Sequence, residues 1–249
     1  MTRVAPSGPC EVVVVGTGTG VGKTLVTTLL VQGLRALRRR TWVHKPIACG
    51  GWDGVSADDG RALAGLCGDG QDPGSVCPRQ FPEPAAPSLA ARLAGHHISL
   101  EALRAALGAC RGDHDLVIEG AGGVLSPLTT DRRGILDLVA GSQLPVLVVC
   151  TPGLGTLNAT ALTVSAVRQA GLALLGLILN QPGAPQGTRA EAHAREELEA
   201  LCAVPVLAAL AHAPLGVSDR AVALAQAVLA AWATGERHGP PSRAGEALR

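Results

Sequence analysis

The chain has 249 residues with 21 Lys+Arg against 20 Asp+Glu, and a formal net charge of +1 gives no reason to expect nucleic acid or an anionic membrane as a partner. Hydrophobic residues make up 47% but aromatics only 2%, so a sizeable core is available and must be built from Val, Leu, Ile and Ala. The 32 Gly and 17 Pro are dispersed among apolar runs, which argues against a disordered chain.

Residues 1–10 read as a frayed leader. Val12 to Val15 form a buried strand that enters the loop Gly16-Thr-Gly-Thr-Gly-Val-Gly-Lys-Thr24, after which Leu25, Val26, Leu29, Leu30 and Leu34 recur at helical spacing. A strand, a glycine loop and a helix in that order make a phosphate cradle. Glycines let backbone N–H groups converge on an anion, the helix N-terminus adds a positive dipole end, and Lys23 supplies a charge. The Thr24 hydroxyl is placed to ligate Mg²⁺. Five residues separate Gly16 from Gly22 where the usual loop has four, and Thr17 follows the first glycine.

The first helix spans about 24–38. Its basic end, Arg38-Arg-Arg40, suits the helix dipole. Thr41 to Lys45 is a second strand stopped by Pro46, and its tip is a loop at a strand's C-terminal end, where open α/β sheets place ligands. Of the basic residues only Lys23 and Lys45 are lysine and nineteen are arginine. So skewed a usage leaves lysine where a compact ammonium cannot be exchanged for a planar guanidinium. Asp58 and Asp59 open the next helix in cap positions, and either could be only an N-cap. Residues 68–88, with five prolines, read as a long irregular crossing, and a helix follows at about 99–110.

His114 to Glu119 is a third strand. Glu119, an acid at the end of an apolar strand before Gly120-Ala121-Gly122-Gly123, is suited to the Mg²⁺ of a bound triphosphate, or else simply caps the strand. Pro145–Val149 and Gly176–Asn180 are strands four and five, separated by a helix that starts near Gly155 and offers another anion seat. Asn180 could pair with a base edge or cap the turn that follows. A helix at 188–202, a sixth strand at Val204–Ala208 and a helix at 217–234 complete the alternation. The expected fold is α/β: one domain over residues 1–234, a mostly parallel sheet flanked by helices on both faces, like the P-loop NTPases, with 235–249 a disordered tail.

The seven cysteines contain no CxxC pair, and Cys67, Cys110, Cys150 and Cys202 lie in apolar segments as small core residues. An odd count, no signal-peptide pattern and no apolar run of membrane-spanning length predict a cytoplasmic protein.

Several motifs in order then resemble the dethiobiotin synthetase family. They are the stretched loop Gly16–Thr24, Lys45-Pro46 with Gly50, Phe81-Pro-Glu-Pro-Ala-Ala-Pro87, Glu119–Gly123 and Leu154-Gly-Thr-Leu-Asn158. The resemblance implies an ATP-dependent cyclo-ligase that carboxylates 7,8-diaminononanoate with CO₂ and closes a ureido ring. By match to the family, Lys23 would hold the β/γ-phosphates and Lys45 would meet the carbamate and the transferring phosphoryl. Thr24, Glu119 and one of Asp58 or Asp59, Asp59 by spacing to Leu63, would hold Mg²⁺. ATP contacts fall on Gly20, Val21, Gly22, Lys23, Thr24 and Leu25, on Asp59, on Glu119, Gly120, Ala121 and Gly122, and on Asn180 and Gln181 with Leu210, Ala211 and His212. Asn180 would read adenine. Substrate contacts fall on Cys49 and on Gly155, Thr156, Leu157 and Asn158, the last group shared across a homodimer.

The chain departs from the family in places. Cys49 stands where Ser or Thr is usual and is a weaker donor. Gly20 replaces an acid found in some members, Ala159 and Ser88 stand where histidines are common, and Gln181 where Asp is frequent. None of these changes removes a phosphate or metal ligand. Two rival readings remain. One is a ParA/MinD-like positioning ATPase, whose loops carry lysine where this chain has Thr17. The other is a catalytically silent nucleotide-binding paralogue, for which Cys49 is the best argument. A closer rival is an amide-forming ligase of the cobyrinate type on a related fold; such enzymes need a glutaminase domain, for which this chain has no room, or an ammonia source.

Overall fold

In the computed structural model, residues 8–212 and 218–235 are described. β1 (Glu11–Gly16) leads through the glycine loop into α1 (Lys23–Ala36). β2 (Thr41–His44) and the two-residue β3 (Ala48–Cys49) follow, then α2 (Asp58–Ala64), α3 (Pro73–Val76), β4 (Gln80–Phe81), α4 (Pro87–Leu93) and α5 (Leu100–Ala109). The rest alternates: β5 (Asp115–Glu119), α6 (Ile135–Val139), β6 (Val146–Cys150), α7 (Thr156–Gln169), β7 (Leu174–Asn180), α8 (Arg189–Cys202), β8 (Val206–Leu210) and α9 (Ser218–Thr234). Six strands form one sheet in the order β2-β5-β1-β6-β7-β8, and every pairing in it is parallel.

Successive side chains of a strand point to opposite faces, so the valine run of β1 serves two cores at once. Val12 and Val14 join Val26, Leu30 and Leu34 of α1 and Leu224 and Val228 of α9. Val13 and Val15 join Leu103 of α5, Leu138 of α6, Val164 of α7 and Leu198 of α8 on the other face. Helices thus cover both sides, as a parallel sheet requires. α1 and α9 pack closely at Gly33, where a β-carbon would come within 1.9 Å of the Ala221 carbonyl oxygen. At the opposite end from the glycine loop, the buried Asp115 receives Arg39 at 2.5 and 2.6 Å and the Cys10 amide at 2.7 Å. Cys10 is therefore anchored in the core, which corrects the reading of residues 1–10 as frayed. Residues 1–7 and 236–249 lie outside the described residues.

The six strands read from the sequence are the six strands of the sheet, with ends moved by one or two residues. The stretch 68–88 is not irregular throughout. Asp72 accepts from the Ser75 amide to start α3 with Pro73 at its first position, and Pro87 holds the same position in α4. A proline there has no amide to lose, so residues read as part of an irregular crossing are helix starts. β4 then pairs with β3, Cys49 opposite Phe81, and this small parallel pair forms a wall beside the end of β2. β1 lies between β5 and β6, so the chain winds outward from it in both directions and leaves a crevice at the strands' C-terminal ends.

Candidate functional site

The loop after β1 supplies the floor of the crevice. The Thr17 amide donates to the Val149 carbonyl at 3.0 Å, which fixes the loop's start against β6. Gly20 and Gly22 have φ of +77 and +94, values that side chains rarely adopt, and Gly22 stands at the N-cap of α1. Lys23 is thereby the first residue of the helix, and its ammonium donates back to the Gly18 carbonyl at 2.9 Å.

Lys45 enters from the end of β2, its backbone amide held by the Val76 carbonyl at 2.7 Å. Its side chain is only 2% exposed, and the ammonium lies 2.5 Å from Asp59 Oδ2 and 2.6 Å from Glu119 Oε1. The Thr24 hydroxyl lies 2.9 Å from Asp59 Oδ1 and 2.8 Å from the same Glu119 Oε1. Four residues from the first helix, the end of β2, the start of α2 and the end of β5 are thus joined in one network. Glu119 is fully buried, and its other oxygen, Oε2, has no hydrogen-bond partner among the described residues. Burial opposes the charge on Lys45, but Glu119 and Asp59 overcome it and hold the lysine above its usual range. Burial likewise raises Asp59, and the Lys45 charge and hydrogen bond, helped by Thr24 and Lys23, bring it net below the ordinary carboxylate value. Lys23 moves the other way, lowered first by burial and then by the neighbouring Lys45 charge.

Both lysines line one cavity of about 630 Å³, with Thr24, Asp59 and Cys49. Burial pushes the Cys49 thiol up to about 11, so it presents S–H and not thiolate at neutral pH. Of the two adjacent acids, Asp59 belongs to the network while Asp58 pairs with Arg61. Neither caps α2, because Ala57 occupies that position. Gly20, Gly22, Ala121 and Gly122 also line the cavity. Gly120 lies behind it, its amide bonded to the Val14 carbonyl, while Val21 and Leu25 pack toward the α1 core.

Other predicted residues do not meet that cavity. Asn180 is buried beneath the loop, its amide nitrogen donating to the Val21 carbonyl at 2.8 Å, which is neither a turn cap nor an open base-reading edge. The Gln181 backbone N–H donates to the Leu210 carbonyl, with Ala211 and His212 exposed beyond it. Gly155 caps α7 with φ +87, Thr156 is buried against Thr160, Leu157 packs against the core and Asn158 is exposed. Sequence reasoning also missed parts of the wall. Thr19, Ser126 and the run Pro84 to Pro87 line the cavity. Ser126 Oγ accepts from the Gly123 amide at 3.1 Å, and a β-carbon on Gly50 would meet Pro84 at 2.9 Å. The Pro-rich run was a visible signal, whereas a lone serine after the glycines was not.

No group of three or more His, Cys, Asp or Glu side chains suited to a metal occurs among the described residues. The donor set here is instead two carboxylates and a hydroxyl, all oxygen, with an unsatisfied buried oxygen on Glu119. Hard oxygen donors of this kind fit Mg²⁺, which keeps water and phosphate as its remaining ligands.

Comparison with known proteins follows the same lines. A family model described as an AAA domain matches residues 11–215. An ATP-dependent dethiobiotin synthetase of Anaeromyxobacter dehalogenans (strain 2CP-1) is 44% identical over 172 residues, covering 68% of this chain and 76% of the relative. One from Bacillus cereus (strain ATCC 14579) is 33% identical over 198 residues, covering 79% and 81%. Among solved structures, a ParA family ATPase from Chlorobium tepidum TLS superposes with a TM-score of 0.51 at 13% identity, over 91% of this chain and 99% of that one, which is a likeness of fold alone. By identity, by coverage and by the stretched loop on this sheet, the chain belongs to the family of ATP-dependent dethiobiotin synthetases.

Proposed function

We propose that the protein is the ATP- and Mg²⁺-dependent cyclo-ligase that carboxylates 7,8-diaminononanoate with CO₂ and closes the ureido ring of dethiobiotin, releasing ADP and phosphate in biotin synthesis. The observation that carries this reading is the meeting of Lys23 and Lys45 at one cavity above a phosphate loop.

One amine takes up CO₂ and loses a proton to give a carbamate. A carbamate oxygen attacks the γ-phosphorus, and the bond to ADP breaks. The second amine attacks the carboxyl carbon and gives up a proton, the C–O bond to phosphate breaks, and the ring closes. Carbamate and triphosphate are both anions, so their approach must be neutralised before any bond can form. Lys23, at the first position of α1, holds the β/γ-phosphates with the loop amides. Lys45 meets the carbamate and the transferring group from the β2 side. Its Asp59 and Glu119 bonds fix the ammonium in direction, so little reorganisation is left for the reaction. Thr24, Asp59 and Glu119 would hold Mg²⁺, which supplies positive charge for the polyphosphate. The neutral Cys49 thiol faces the same space as a weak donor to the carbamate.

Gly155, Thr156, Leu157 and Asn158 lie outside the cavity of their own chain and serve the substrate carboxylate of a partner copy in a homodimer. Leu154, exposed just before α7, and Leu162, exposed on it, support that interface. No helix among the described residues is long and apolar enough to cross a membrane. We assign the enzyme to the cytoplasm, with neither membrane nor nucleic acid as a partner. Incubation with ¹³C-bicarbonate, ATP, Mg²⁺ and the diamine tests the reading by mass spectrometry. A product carrying one added labelled carbon and lacking one water supports it, and unlabelled, unchanged diamine refutes it.

A further inference from the structure

Asn180 ends β7 and is 1% exposed. Its amide nitrogen donates to the Val21 carbonyl at 2.8 Å. A β-carbon on Gly22 would lie 2.1 Å from that same nitrogen, so the Asn180 amide rests directly against the Val21–Gly22 peptide. This is the turn at which Gly22, with φ +94, caps α1. The structure contains no cis peptide bond among the described residues, and a trans peptide sets its C=O and N–H on opposite sides. A Val21 carbonyl tied down to β7 therefore leaves the Gly22 N–H facing away from β7. Gly22, Lys23 and Thr24 line the cavity on that far side, and Asn180 does not.

We infer that Asn180 is a positioning residue for phosphate binding: it fixes the Val21–Gly22 peptide so that the Gly22 N–H, and not the Val21 carbonyl, is offered to the phosphates. Without the brace this peptide, between two residues of a glycine-rich loop, is free to rotate and to turn a carbonyl toward the anion. A carbonyl repels what an amide attracts, so one peptide orientation decides the sign of its contribution. Asn180 Oδ1 has no partner among the described residues. The inference rests on the proposed ATP site.

A ligand without a base separates the brace from base reading. Affinity for inorganic tripolyphosphate and for ATP, each with Mg²⁺, is measured on the full chain for the wild type and for Asn180→Ala. Thermal unfolding of each protein reports whether it is folded. Asn180→Leu, which keeps the side chain's shape and strand preference, serves if the alanine variant does not fold. The expected result is a loss of about tenfold for tripolyphosphate as well as ATP, of the order of one well-placed hydrogen bond. A folded variant that binds tripolyphosphate as the wild type does, whatever happens to ATP, overturns the brace and leaves the ATP site standing. A wild type that binds neither ligand overturns the ATP site and the brace together.

Discussion

Lys45 carries more of this site than its place in the sequence reveals. The skew toward arginine singled it out beside Lys23, yet nothing in the spacing disclosed that its ammonium is clamped between Asp59 and Glu119, 14 and 74 residues away. Spacing reports neighbours on one element, and these partners sit on two others. Replacing a cation between two buried or half-buried carboxylates leaves their charges uncompensated, which is the costly way to break a buried pair. Lys45→Gln is therefore expected to lower kcat on the order of 10²–10³-fold, comparable to removing one transition-state donor, and also to lower stability. Equilibrium binding should find ATP affinity within about threefold of wild type, because Lys23 and the loop amides remain. Turnover at the wild-type rate would remove Lys45 from the mechanism. Cys49→Ser restores a stronger donor at a position where burial keeps the thiol neutral, so activity should be preserved or raised. A large loss of kcat in that variant would mean that the thiol has a role of its own.

His44, next to Lys45, was not singled out by the sequence and has a measurable consequence. It is fully buried, its Nδ1 lies 3.0 Å from the Ser75 carbonyl and its Nε2 has no partner among the described residues. Burial, outweighing that carbonyl, holds it below its ordinary value of 6.5. The folded state then binds fewer protons than the unfolded one, so the stability that neutral His44 contributes is present above pH 6.5 and is lost as pH falls through the folded value. Urea midpoints at about pH 7.5 and 5.5 should show a fall in the wild type. Most of that fall should vanish in His44→Phe, and an equal fall in both proteins would contradict the assignment.

At the scale of elements, the long valine and leucine strands were legible because a buried parallel strand is a continuous apolar run. What escaped were pieces too short for a period. β3 and β4 have two residues each, and α3 has four. Pro73 and Pro87 stand in the stretch that read as an irregular crossing, although they begin α3 and α4. Pairing of β3 with β4 is a long-range contact that no local pattern encodes, and it carries Cys49 to the cavity. The α1–α9 contact was equally invisible, since its signal is a single glycine inside a helix. Gly33 has the Ala221 carbonyl where a β-carbon would go, and backbone cannot step aside as a side chain can. Gly33→Ala should thus cost about 1–3 kcal/mol by forcing the helices apart, despite alanine's better helix propensity. Urea denaturation measures it, and an unchanged or raised midpoint would mean that the two helices are not in close contact.

For the whole molecule, the order β2-β5-β1-β6-β7-β8 explains why residues scattered from Thr19 to Ser126 share one crevice: β2, β5 and β1 are neighbours and end on the same side. That much of the site could be foreseen, because the alternation of strands and helices predicts a parallel sheet whose C-terminal ends hold the ligand. The start of α7 follows β6 and remains outside the cavity, so the proposed role of its residues needs a second copy. If α7 forms the dimer contact, Leu162→Glu should turn the dimer into a monomer by sedimentation and remove turnover with it, whereas an active dimer would place the interface elsewhere. In the proposed reaction two ammonium groups bring a carbamate to a triphosphate, and phosphate release tests this most directly. With ATP, Mg²⁺ and bicarbonate present, release should depend on 7,8-diaminononanoate and fall to background in Lys45→Gln. Phosphate released at the same rate with and without the diamine would contradict it.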